Sequence, residues 1–88
     1  MSRTIWKFPI PYDDEFTVKL PVDAKIVHLD SQLSGLYMWA IITDETTYIK
    51  DRSFYLRGTG HYIPEDAEYV GTIMDNPMVW HIFEKKSD

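Results

Sequence analysis

Eighty-eight residues with nine basic and fourteen acidic side chains, a formal charge of −5, make one small domain with room for a single core. The charge excludes broad binding to nucleic acid or anionic membranes, which needs a cationic face, and leaves room only for a small basic pocket. The lack of cysteine excludes disulfides, thiolate catalysis and cysteine-type zinc sites, so stability must come from the core, helped by self-association. No run approaches the ~20 apolar residues of a membrane span, and "MSRTIWKF" does not resemble a signal peptide. A soluble cytoplasmic protein is expected.

In chain order, "TIWKFPI" is read as an extended segment with Trp6, Phe8 and Ile10 on one side. "FTVKLP" alternates Phe16, Val18 and Leu20 against Thr17 and Lys19, the period-two pattern of a half-buried strand. "PVDAK" is a turn and "AKIVHLD" the next strand. "SQLSGL" breaks the chain before "LYMWAIIT", which is apolar on both faces: Leu36, Met38, Ala40 and Ile42 against Tyr37, Trp39 and Ile41. Antiparallel sheets usually wet one face, so this strand is expected to lie centrally in a sandwich, under a loop or against another subunit. "DETT" is a polar turn, and "YIKDRSFYLRG" an extended stretch bent near Asp51. "PEDAEY" is the best helical candidate, about one turn with proline and acids at its start. "EYVGTIM" and "MVWHIFEK" flank "DNP" as a hairpin, and the tail, about residues 85–88, is expected to fray. The expected fold is therefore all-β: a small antiparallel sandwich or barrel of about six or seven strands over 1–88, with at most one short helical turn. Its core should draw on Phe16, Val18, Leu20, Met38, Ala40, Ile42 and Phe54.

The densest chemistry lies in "RGTGHYIP", residues 57–64. Two glycines allow positive φ and an inward-facing nest of N–H groups for an anion. Arg57 would fork onto a phosphate or carboxylate, and His61 would add a donor. The plain structural reading is that glycines after a strand permit a tight bend, and a lone G-x-G without a following helix is a weak fingerprint. The corner is favoured first and the binding loop second. The aromatics, 15% of the chain, exceed what so small a core easily hides, which points to a stacking pocket or an oligomer interface. The candidate ligand-binding set is Arg57, Gly58, Thr59, Gly60, His61, Trp39, Trp80 and His81. No catalytic residue, metal ligand or cofactor is expected. His28, His61 and His81 have no local ligand spacing, and His28 and His81 are read as half-buried strand residues bonded to carbonyls. "YDDEF" is read as a solvated turn rather than a calcium loop.

The blocks "IWKFPI", "VKLPVDAKIVHL", "LYMWAII", "FYLRGTGHYIP", "YVGTIM" and "VWHIFE" together resemble a family of small proteins of unassigned function, mostly phage- or prophage-encoded. The pattern falls on Ile5–Lys7, Pro21–Ile26, Gly58–His61 and Val79–Phe83 and covers roughly Ile5 to Glu84; this chain departs from it at "YIKDRS", where it is more acidic. The resemblance carries no catalytic residues. It implies a phage accessory protein acting in the host cytoplasm against host defence.

The expected function is binding without catalysis: sequestration of a small, nucleotide-derived anionic ligand by a homo-oligomer. The alternative is an acidic inhibitor of a host defence protein; a small enzyme or a structural phage component comes third.

Overall fold

The structure, a computed structural model, describes residues 2–43 and 48–86. Seven strands fill it: β1 (Arg3–Ile10), β2 (Glu15–Pro21), β3 (Lys25–Gln32), β4 (Gly35–Thr43), β5 (Ile49–Gly58), β6 (Ala67–Asp75) and β7 (Met78–Lys85). They form two antiparallel sheets, a three-stranded one in the order β1-β4-β3 and a four-stranded one in the order β2-β5-β7-β6. The two sheets pack into a β-sandwich with principal extents of 41 × 33 × 16 Å. No helix is present among the described residues; in the "PEDAEY" segment Glu65 and Asp66 make a plain turn and Ala67 to Tyr69 already belong to β6.

Period-two patterning decides which side chains meet. Phe16 and Leu20 of β2 point inward beside Phe54 and Leu56 of β5, and Phe16 stacks on Phe54 with ring centroids 5.3 Å apart. From the other sheet Leu36, Met38, Ala40 and Ile42 of β4 and Ile10 of β1 close the core, with Ile73 and Ile82 from β6 and β7. Of the expected core residues, Val18 alone is only partly buried, packed against this cluster. β5 runs without a break through Asp51, where a bend was expected. The "DNP" turn joins β6 to β7 as read, with Asn76–Pro77 in the cis form. The expected "DETT" turn, residues 44–47, lies outside the described residues.

One side of the sandwich closes through β3 and β6. Each carries a register shift, between Ile26 and His28 in β3 and between Tyr69 and Gly71 in β6. Such bulges bend an edge strand towards its neighbour. The approach is close enough that a Cβ on Gly71 would lie 2.6 Å from Leu29 Cδ1. The inner face also carries an ion pair: Arg52 donates to both Glu84 carboxylate oxygens, at 2.6 and 2.8 Å, and to the Ala24 carbonyl at 2.7 Å. Its side chains are 13% and 25% exposed, so it seals the core at the end remote from Gly58.

The connection between β5 and β6 positions the candidate site. Both strands pair antiparallel with β7, which lies between them, so they run in the same direction. Residues 59–66 must therefore return along the outer face of the four-stranded sheet. This strap explains why Tyr55 and Phe83, which pair with each other and face away from the core, are nonetheless 5% and 8% exposed.

Candidate functional site

The strap begins as a tight corner. His61 N–H donates to the Gly58 carbonyl at 3.1 Å, closing a four-residue turn. Gly60, at its third position, has φ +89°, the conformation a type II turn requires there and one that side chains with a Cβ resist. Gly58 has a different reason to lack a side chain: a Cβ would come within 3.1 Å of the His61 ring. That ring closes the turn a second time, because Gly58 N–H donates to His61 Nδ1 at 3.2 Å. A backbone N–H can only donate, so the neutral ring carries its proton on Nε2.

Arg57 faces outward beside this corner and acts as a clamp. Its Nε donates to the Tyr62 carbonyl at 2.8 Å, and Nη1 donates to the carbonyls of Leu56, at 3.0 Å, and Asp14. The guanidinium lies over the Tyr55 ring, 5.2 Å from its centroid. One side chain thus ties the strap, the β1–β2 loop and β5 together, and none of the ion pairs among the described residues includes it. Its charge is met by carbonyl dipoles and a π face, with Nη2 bonded to none of the described residues.

The far end of the strap is held by Asp66, which accepts from Tyr55 Oη at 2.9 Å while its carbonyl accepts from Lys86 N–H at 2.7 Å. Burial raises the Tyr55 pKa above the usual phenol value, and the hydrogen bond to Asp66 and that carboxylate's charge raise it further, while Arg57 opposes them. Across β7, His81 sits between two hydroxyls: Thr59 Oγ1 is 2.9 Å from Nε2 and Thr72 Oγ1 is 3.0 Å from Nδ1. Tyr69 Oη lies 2.6 Å from the same Thr72 oxygen. A neutral imidazole donates through one nitrogen and accepts through the other, so of the Thr59 and Thr72 hydroxyls one donates to His81 and the other accepts from it.

These elements border a half-open cavity of about 170 Å³ lined by Arg57, the Gly58–His61 corner, Ile63, His81 and Phe83. A second depression of about 270 Å³ lies on the other side of the corner, against Pro77, Met78 and Val79. Six of the eight residues expected at a ligand site therefore meet at one place. Trp39 and Trp80 do not. Trp80 pairs with Gly58 on the inner face, its ring against Tyr12 at 5.9 Å and its Nε1 buried without a hydrogen-bond partner among the described residues. Trp39 is on the outer face of the three-stranded sheet, the other side of the molecule.

Two histidine readings change in detail. His81 is half-buried but bonds hydroxyls rather than a carbonyl. The His28 side chain is 62% exposed, 3.4 Å from Asp30, because β3 is an edge strand and its outer face is uncovered. Sequence reasoning missed Tyr55, Asp66, Thr72 and Phe83. The alternation of "SFYLR" and "VWHIFE" does pair Tyr55 with Arg57 and His81 with Phe83 on common faces, but only the crossover shows that these faces adjoin and are covered.

Among the described residues no three histidine, aspartate or glutamate side chains converge to hold a metal ion. No solved structure matches this chain. The chain is 38% identical over 64 residues to the zinc metalloprotease ZmpB of Streptococcus pneumoniae serotype 4, an alignment spanning 72% of this chain and 3% of that protein. The family profile described as a domain of unknown function, DUF7352, matches residues 1–88 in full, and the chain belongs to that family.

Proposed function

We propose that this domain works by binding rather than catalysis, and that its ligand is a small anion-bearing molecule, nucleotide-derived, held at the Gly58–His61 corner. The observation that carries this reading is Arg57: a half-buried cation in a chain of charge −5, fixed by carbonyls with no carboxylate among the described residues paired to it, at the lip of a cavity. Charge-assisted bonds to an anion are the strong interactions open to such a group, with Thr59 Oγ1 and His61 Nε2–H as further donors.

Size shapes the proposal. Ligand pockets commonly run from about 300 to 1,000 Å³, so the 170 Å³ cavity alone has room for no more than one small group, the size of a phosphate or carboxylate. The neighbouring depression shares Gly58, Thr59 and His61 with it and offers Met78 and Val79 as an apolar floor. A nucleotide lying across the corner would place its phosphate by Arg57 and its base over these side chains.

The resemblance to phage-encoded proteins supports a setting in which the domain sequesters a nucleotide-derived defence signal in the host cytoplasm. The local similarity to ZmpB supports a second setting, a β-module built into a longer chain. Among the described residues no ligand set for zinc chemistry is found. Calorimetry against phosphate, pyrophosphate and a panel of linear and cyclic nucleotides tests the reading. Saturable binding of at least one nucleotide is expected, weakened more than tenfold in Arg57→Met, which keeps the apolar bulk over Tyr55 and removes the charged bonds. A panel without heat, or equal binding by the variant, overturns it.

A further inference from the structure

The outer face of the three-stranded sheet concentrates features that the sequence scatters. Lys7, Trp39 and His28 form one row across β1, β4 and β3; Ile5, Ile41 and Lys25 form the next, with Arg3 and Thr43 beyond. Pro9, Tyr37 and Asp30 complete the face on the other side. Three rings lie side by side at its centre: Tyr37 and Trp39 with centroids 6.4 Å apart, and Trp39 and His28 at 5.5 Å. Lys7 reaches over Tyr37, its Nζ 4.6 Å from the ring centroid, and donates to Gln32 at 3.0 Å.

The charge here is opposite to that of the molecule. Arg3, Lys7 and Lys25 are three of only nine basic residues in the chain, and among the described strand residues on this face Asp30 is the one carboxylate. A second copy pairing face to face by a twofold axis would bring two patches together that each carry three cations against one carboxylate, because such an interface uses the same patch on both copies. An acidic protein segment would answer the cations and leave the rings without stacking partners. A single-stranded polynucleotide answers both, with phosphates for the ammonium and guanidinium groups and a π face on every unit for the rings.

We propose that this face binds single-stranded nucleic acid, stacking bases on Trp39 and its neighbours with Arg3, Lys7 and Lys25 on the phosphates. Three phosphate contacts predict a modest slope, about −2 in log affinity against log salt. The overall negative charge keeps binding weak, so the interaction is one for low salt and differs from the broad electrostatic binding that composition excludes. This site is separate from the Arg57 corner, which lies on the other sheet.

The test is fluorescence anisotropy of a labelled oligothymidylate of about twelve nucleotides, with a duplex of equal length and polyglutamate as competitors. Saturable binding is expected, roughly tenfold or more weaker in Trp39→Ala, with a salt slope shallower by about 0.7 in Lys25→Gln. Lys25 is exposed on an edge strand, so its variant reads out binding even if Trp39→Ala folds poorly. Absence of saturable binding at low salt, full retention of affinity in folded Trp39→Ala, or equal competition by duplex or polyglutamate would each overturn the proposal. So would a stable dimer whose formation shields Trp39.

Discussion

Replacing Arg57 with alanine should cost the fold about as much as a small core truncation, although the side chain is on the surface. Two of its three carbonyl bonds are in exposed surroundings, which reduces each to roughly 0.5–1 kcal/mol. The acceptors are not orphaned: the Asp14 carbonyl keeps the Leu56 N–H at 3.0 Å, and the Tyr62 carbonyl on the strap turns to water. The stacking on Tyr55 adds about 0.5–1 kcal/mol. Together these give about 2–3 kcal/mol, which for a domain of this length lowers the thermal midpoint by roughly 10–20 °C. Thermal melts followed by circular dichroism measure it, with Arg57→Lys falling between, since one ammonium cannot span three diverging carbonyls. If Arg57→Ala melts within about 2 °C of the parent, as an ordinary solvated arginine would, the clamp is not what holds the strap.

Glu84→Ala should destabilise by about 2–3 kcal/mol, because it strands a guanidinium that is 13% exposed, a little less than for a fully buried pair; denaturant midpoints at unchanged m-value read this out. Gly60→Val should lose about 1–3 kcal/mol from a β-branched residue at φ +89°, whereas Gly60→Asn, which tolerates that φ, should recover most of it. The space around a Cβ there is open, so equal losses in both would show that crowding and not φ is at fault. Tyr55→Phe should flatten the alkaline limb of the stability curve. With the folded pKa above the unfolded value of ~10, the unfolded chain gives up the phenol proton first. The contribution of Tyr55 is thus full below pH ~10 and is lost as pH rises towards the folded pKa. Chemical denaturation between pH 8 and 11 should show a shallower decline in the variant, and parallel curves would refute the assignment.

Strand positions were legible because alternation is a local signal. "FTVKLP" and "LYMWAIIT" give the inward residues of β2 and β4 directly, and β7 matches "MVWHIFEK" residue for residue. What alternation cannot give is which strands adjoin. The two-sided apolar strand Leu36–Ile42 is central, as expected, yet the described residues do not supply the cover expected on its second face: Tyr37, Trp39 and Ile41 stay partly exposed beside Lys7 and His28. Grouping Trp39 and Trp80 with the glycine corner had the same cause, since one strand lies in the opposite sheet and the other turns its indole inward. The corner itself was legible in "RGTGH". Its covering strap was not, because a loop's path over a sheet follows from strand order, which no residue in 59–66 encodes.

The central claim, that the Gly58–His61 corner grips an anion-bearing ligand, is tested most directly by amide and imidazole chemical shifts during titration with phosphate and then with the tightest-binding nucleotide. Phosphate should move the amides of Gly58 to His61, the Arg57 side-chain N–H signals and the His81 ring; the nucleotide should add Met78 and Val79. A spectrum in which these signals stay fixed while both ligands reach millimolar excess, or in which only the Tyr37–Trp39 face responds, would contradict it.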